Sequence, residues 1–335
     1  MPESKRAKAV AGTNIALVKY WGKRDTALNL PATGSLSLTL AGLGSETSVR
    51  FAHDAGGSDG RDRVLFGGEP AWPLFANRVR RFLDLVRALA KIDLPAEVAT
   101  VNTVPTAAGL ASSASGFAAL ALAASRAAGL RLSPAELSAL ARRGSGSAAR
   151  SIVGGFAEMA AGTRKDGSDA YAHSIADENA WDVRLCVAMT AAGEKTVGST
   201  AAMALTERTS PYYAAWLSTV PGDVAEAKAA ILARDLARLG SVAERSATRM
   251  HAAALAAEPS ILYWNPATLA AIATLKELRA GGTSAYFTID AGPHVKALCV
   301  SADAAKVAAA LAATPGVVRV LTVAPGPGAQ IMSED

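Results

Sequence analysis

The chain is 335 residues long, half of them hydrophobic and 19% charged, a balance that excludes an intrinsically disordered protein and leaves room for two domains of ordinary size. Its formal charge of +5 comes from Lys and Arg residues spread thinly along the chain, with short clusters only at "KRAK" and "RVRR"; this suits a small anionic substrate and argues against a nucleic-acid partner. No run approaches the ~18 apolar residues of a membrane span, and no apolar segment follows the charged start "MPESKRAKAV", so the expectation is a cytoplasmic protein with no membrane partner.

In chain order, polar and apolar residues alternate in "GSLSLTL" (34–40), "SETSVRF" (45–51) and "AEVATVN" (96–102), as in half-buried strands. Ahead of the third, "LFANRVRRFLDLVRALAKI" (74–92) returns its apolar residues every three or four positions and predicts an amphipathic helix. "SPAE" (133–136) is a helix start in which Ser133 caps, Pro134 fits the first turn and Glu136 completes a capping box, so a helix is predicted through about Arg142. The glycines of "RGSGSAARS" (143–151) then predict a loop leading into another helix.

The second half opens with an apolar strand, "VRLCVAMTA" (183–191). Helices are predicted at 211–220, through "VAEAKAAILARDLARLGSVAERSATRMHAAALA" with a break at Gly240, and at 266–280 before Gly281 and Gly282. Strands at 285–290, 295–300 and 317–323 surround a last helix at 302–313. The pattern predicts two domains, 1–185 and 186–335, with no flexible linker and no internal repeat. Cys186 and Cys299 each sit in an apolar run at no ligand spacing from the four histidines, and read as reduced core residues.

Four segments carry chemistry. "NIALVKYWGKRDTALNLPATGSLSLTL" (14–40) gathers Lys19, Lys23 and Arg24 near Tyr20, Trp21 and Asn29; these groups can hold a phosphate, or form a solvated turn beside Gly22. "PTAAGLASSASGFAALALAAS" (105–125) has the small residues of a phosphate cradle opening a helix, or of tight helix packing. In "RRGSGSAARS", Ser145, Ser147 and Arg150 can grip a phosphate or carboxylate, or make a helix cap with a surface arginine. "AYFTIDAGPHVKAL" (285–298) ends an apolar strand on Asp290, a costly place for a carboxylate unless it is paired or has a task.

Together, "VKYWGKRD…LNLP", "PTAAGLASSASGF", "RRGSGSAARS", "RMHA" and "FTIDAGP" resemble the diphosphomevalonate decarboxylases of the GHMP kinase superfamily, over nearly the whole chain. The resemblance implies an α+β fold with two domains, an N-terminal one like ribosomal protein S5 domain 2 and a ferredoxin-like C-terminal one, with the active site in the cleft between them. It implies a carboxy-lyase that uses ATP with Mg2+ to turn (R)-5-diphosphomevalonate into isopentenyl diphosphate, ADP, phosphate and CO2, working as a homodimer on a small-molecule substrate.

By the same resemblance Gly109, Leu110, Ala111, Ser112 and Ser113 match the ATP phosphate loop, Ser147 and Arg150 match substrate-binding positions, and Arg150 faces the carboxylate that leaves. Lys19 and Asp290 match the lysine and acid beside the reacting hydroxyl, and Tyr20 and Lys23 match diphosphate contacts; no metal ligands are assigned. His53, His173, His251 and His294 read as structural or surface groups, with His251 the one to line the cleft. The chain departs from the family pattern at Thr33-Gly34, Ser115, Thr200 and His294. The competing readings are a decarboxylase of a monophosphorylated mevalonate, a mevalonate 3-kinase, and an inactive phosphometabolite-binding sensor.

Overall fold

The computed structural model describes residues 5–57, 60–103, 112–190 and 197–335. Two large sheets organise them, beside a two-stranded one of Lys23–Asp25 and Leu30–Pro31. The first has eight strands, running in space Gln330–Glu334, Lys5–Val18, Ser35–Phe51, Ala96–Asn102, Arg63–Phe66 and Glu69–Pro70, with Phe156–Met159 and Ala172–Ala176 branching from the third. The second is a four-stranded antiparallel sheet in the order Ala285–Ile289, Val295–Val300, Val183–Met189, Arg319–Val323.

The 5–18 strand has no counterpart among the predicted elements. Its first half alternates buried Ala7, Ala9 and Ala11 with more exposed neighbours, but from Thr13 to Val18 every residue is buried, because this half is covered on both faces. Alanine is a weak strand former and a doubly covered strand loses its alternation, so neither sequence signal for a strand is present. The segments at 34–40 and 45–51 form one 17-residue strand. It pairs with the 5–18 strand through a bulge near Gly12, which faces Gly44 in the register.

Helix Ser112–Ala127 buries Phe117, Leu120 and a row of alanines against this sheet, and helix Pro73–Ala90 adds Val79, Phe82 and Val86 to the same core. The "SPAE" helix runs Pro134–Gly144 with both capping-box bonds formed. On the other side, Ile15, Leu17, Leu36 and Leu38 of the first sheet share a core with Leu185 and Leu298 of the second and with Trp216, Leu239 and Met250 of two long helices. Each large apolar side chain buried there contributes about 1.5–3 kcal/mol relative to exposure, so the two sheets are held together by a common interior.

Those helices correct the predicted break at Gly240. Helix Leu236–Leu255 passes straight through Gly240, where a Cβ would stand 2.0 Å from Tyr286 Cγ. The glycine is there for close approach to the 285–289 strand. The break comes earlier, at Arg234, which takes a left-handed φ of 53°, and Asp235, whose side chain accepts the Arg238 N–H. The preceding helix, Tyr213–Ala233, is also continuous through Pro221, since packing of Trp216, Val220 and Ala227 into the shared core outweighs the loss of one N–H. Among the described residues, no helix is long and apolar enough to cross a membrane.

Candidate active site

A cleft of about 1060 Å³ opens where these sheets meet. Two strand ends define its floor. Lys19 lies one residue beyond the 5–18 strand and Asp290 one residue beyond the 285–289 strand. The Lys19 ammonium donates to Asp290 Oδ1 at 2.7 Å and to the Ala16 carbonyl at 2.9 Å. A second ammonium, that of Lys296, stands 3.2 Å from Asp290 Oδ2. Both lysines are buried, whereas the Asp290 side chain keeps 30% of its surface exposed and lines the cleft.

Burial alone raises the pKa of the Asp290 carboxyl, but the charges and hydrogen bonds of Lys19 and Lys296 outweigh it and hold the group well below the usual carboxylate range. Burial pulls Lys19 down to about 8, against the opposing pull of Asp290. At neutral pH the Asp290 carboxylate is therefore ionised and held by the Lys19 ammonium.

Arg150, on the short helix Ala148–Ser151, is buried and is not the surface arginine that a plain helix cap would carry. It donates from Nε to Asn14 Oδ1 at 3.2 Å and from Nη1 to Ser35 Oγ at 2.7 Å. Asn14 is fixed in turn by donating to the Ser147 carbonyl and to Ser151 Oγ. Burial lowers the Arg150 pKa to about 10, offset in part by Tyr20 and Asp290, so it stays charged. Ser147 stands at the head of the short helix without a side-chain capping bond, and its hydroxyl, 3.4 Å from that of Ser145, lines the cleft.

Tyr20 rests against the loop at Gly146, where a Cβ would come within 2.4 Å of the phenol oxygen. Among the described residues its hydroxyl is buried with no hydrogen-bond partner, as is Trp21 Nε1, and burial pushes the Tyr20 pKa up to about 12. Two buried, unsatisfied donors on a cleft wall are groups that a ligand's acceptors would complete. Lys23 also lines the cleft, half-buried, with Nζ donating to Asn29 Oδ1 at 2.6 Å while Asn29 donates to the Arg143 carbonyl. Its neighbour Arg24 turns away to the carbonyls of Ala161 and Arg164 at the surface.

Ser113 is exposed on the first turn of helix Ser112–Ala127 and lines the cleft. Gly109, Leu110 and Ala111, and the side chain of Ser112, lie outside the described residues. His251 does not line the cleft. Its Nε2 lies 3.3 Å from the Ile289 carbonyl, its ring packs 5.0 Å from Trp264, and burial holds it near a pKa of about 3, hence neutral; Met250 takes the place on the wall. Among the departures, Ser115 bonds Ser45 inside the sheet packing, and His294 accepts from the Thr190 N–H. Only Thr200 of these lines the cleft, on the first turn of helix Ser199–Thr209.

Asn14, Ser35 and Lys296 were not singled out from sequence. Each is a polar residue at a buried position within a strand, and that mismatch is the signal that could have found them.

The family profile described as a diphosphomevalonate decarboxylase-like N-terminal domain matches residues 11–172, and that of the mevalonate 5-diphosphate decarboxylase C-terminal domain matches residues 185–320. The chain belongs to the diphosphomevalonate decarboxylase family. It is 37% identical over 330 residues to the diphosphomevalonate decarboxylase of Aspergillus fumigatus, covering 93% of this chain and 81% of that one. The crystal structure of mevalonate diphosphate decarboxylase from Staphylococcus aureus superposes with a TM-score of 0.93 at 39% identity, covering 98% of both chains. A structure described as MDDEF in complex with MVAPP, AMPPCP and magnesium superposes at 0.91 with 41% identity, covering 98% of this chain and 99% of that one. The two-domain α+β architecture is thus that of the diphosphomevalonate decarboxylases.

Proposed function

We propose that this cleft binds (R)-5-diphosphomevalonate with ATP and makes isopentenyl diphosphate, ADP, phosphate and CO2, a step of isoprenoid biosynthesis by the mevalonate pathway. The observation that carries the reading is the meeting of Asp290, clamped by Lys19, with the buried Arg150 on one cleft floor. That floor presents an acid for a hydroxyl and a fixed guanidinium for a carboxylate, the two groups that the reaction must handle on one substrate.

The tertiary hydroxyl attacks the γ-phosphorus of ATP. The new O–P bond forms as the bond to the bridging oxygen breaks, and ADP leaves with that electron pair. Asp290 orients the hydroxyl and receives its proton late, since a carboxylate flanked by two ammonium groups is a weak base and a loose phosphoryl transition state asks little of one. Phosphate then departs with the electrons of its C–O bond, and the electrons of the C–CO2 bond close the double bond. Arg150 aligns the carboxylate for that loss, and Lys19 offsets charge as the oxygens develop it. Tyr20, Lys23 and Ser147 hold the diphosphate and neighbouring oxygens, and Ser113 with the 109–112 segment serves the ATP phosphates.

Among the described residues there is no cluster of three His, Cys, Asp or Glu able to hold a metal, and both Asp290 oxygens face ammonium groups. This fits a magnesium ion carried mainly by the nucleotide phosphates, with the exposed Ser113 hydroxyl available to the assembly. Bound there, magnesium supplies neutralisation of phosphate charge.

The ionised Lys19 gives a pH test. Its folded pKa of about 8 lies below the ordinary lysine value of 10.5, so the ammonium is lost as pH rises through about 8, and kcat/KM should fall above that point. Bound phosphates favour the charged form and should move the limb in kcat to higher pH. Profiles of both constants from pH 6 to 10 check this, and a kcat/KM that stays level throughout would count against an ionised Lys19 at the site.

Lys23 and Tyr20 line the cleft and favour a second phosphate on the substrate. The diphosphate should therefore exceed 5-phosphomevalonate in kcat/KM by on the order of 10²-fold, since a hydrogen bond to a charged group is worth about 1.5–3 kcal/mol. Equal or inverted preference would assign the chain to the monophosphate. A homodimer and a cytoplasmic location belong to this reading as well; sedimentation equilibrium and cell fractionation test them.

A further inference from the structure

Lys296 lies on the Val295–Val300 strand, opposite Thr288 on one neighbour and Val187 on the other. By alternation it shares a face with Leu298, which joins the core shared by the two sheets. A lysine only 3% exposed in that row is expensive unless its charge is matched. The match is Asp290 Oδ2, at 3.2 Å.

Asp290 is thus gripped from two directions. Lys19 comes from the first sheet and holds Oδ1, while Lys296 comes from the second sheet and stands on Oδ2. Thr288, paired with Lys296, donates to the Ala16 carbonyl, the same oxygen that accepts from Lys19. One carboxylate is tied to both domains through adjacent residues. A single partner would leave it free to turn about its Cβ–Cγ bond, whereas two fix its plane.

Fold maintenance does not account for this placement, because a buried ion pair is often no more stabilising than apolar side chains of the same volume. An apolar residue in the Leu298 row would serve the sheet as well. What the lysine adds is a fixed orientation for the acid that faces the cleft.

We propose that Lys296 is a positioning residue for phosphoryl transfer, holding the second oxygen of the Asp290 carboxylate so that its cleft-facing side meets the substrate's tertiary hydroxyl. The inference rests on the reading that Asp290 serves that hydroxyl. Lys296 acts electrostatically on Asp290, Lys19 and His251, and Arg150 interacts with the same carboxylate; Thr288 and Val187, on the flanking strands, carry no charge.

Lys296→Met keeps most of the length and removes the charge. It should lower kcat by on the order of 10- to 10²-fold, the cost of a misplaced reacting group, with KM for ATP and substrate within a few-fold. A purely structural lysine would lower the melting temperature and leave kcat per folded molecule in place. Lys296→Arg, which keeps the charge, should recover part of kcat.

Wild-type protein assayed beside these variants separates the two readings. If the wild type releases no CO2, the decarboxylase reading fails. If it does and Lys296→Met shows wild-type kcat per folded molecule, or Lys296→Arg recovers none of the loss, the positioning role is overturned. A Met variant that does not fold also overturns it, because the pair would then hold the structure and not the reaction.

Discussion

Replacing Asp290 with Asn should cut turnover by on the order of 10²-fold or more, the loss expected when a group that orients and accepts a proton is made neutral. The side chain keeps its shape and can still accept from Lys19 at Oδ1, but its amide would point N–H groups at the Lys296 ammonium, where the wild type has an acceptor 3.2 Å away. Two buried cations would lose their counter-charge. Removing one partner of a buried pair costs about 3–5 kcal/mol, moderated here because Lys19, already down at about 8, can shed its proton. A lower melting temperature should therefore accompany the loss of activity. Turnover is to be measured per folded molecule, with ATP and substrate affinity determined separately by titration; binding within a few-fold of wild type with kcat down on the order of 10²-fold is the expected pattern. A folded Asn variant turning over within a few-fold of wild type would make Asp290 a structural acid and remove it from the mechanism.

Arg150→Lys is the second large effect. The guanidinium makes two bonds at once, to Asn14 Oδ1 and Ser35 Oγ, and these aim the remaining Nη2 edge. A lysine keeps the charge but supplies a single ammonium on a flexible stem, so it cannot hold both partners and still present a fork to a carboxylate. Loss of alignment should cost on the order of 10²-fold or more in kcat for CO2 release. Folding should be affected less, because the charge is retained and Asn14 keeps its bonds to Ser147 and Ser151. Steady-state CO2 release beside a thermal melt measures both. Wild-type turnover would take Arg150 out of the site.

Much of this site was legible because it is built from local signals. "KYWGK", "GSGSAAR" and "DAGP" each place charged or hydroxyl groups within a few residues, and Lys19, Ser147, Arg150 and Asp290 all come to one cleft. The helix start at Ser133 was readable for the same reason, since a capping box lies within four residues. What escaped depends on contacts that only the fold makes. Asn14 becomes a site residue only when it meets Arg150, 136 residues later, and Lys296, although in the same segment as Asp290, reaches it only because the turn after Ile289 folds the next strand back beside it. The strand Lys5–Val18 was missed because coverage on both faces erases its alternation. Gly240 was misread because a helical glycine has the same letter whether it ends a helix or makes room for Tyr286.

If one cleft phosphorylates the tertiary hydroxyl and then releases carbon dioxide from the same substrate, nucleotide, phosphate and gas must appear together. The most direct measurement incubates the purified protein with (R)-5-diphosphomevalonate, ATP and magnesium, and quantifies ADP, inorganic phosphate and CO2 over a time course. Equal amounts of all three are expected at every point, with isopentenyl diphosphate as the organic product. ADP accumulating without CO2 would contradict this and assign the chain to a kinase that stops at the phosphorylated intermediate.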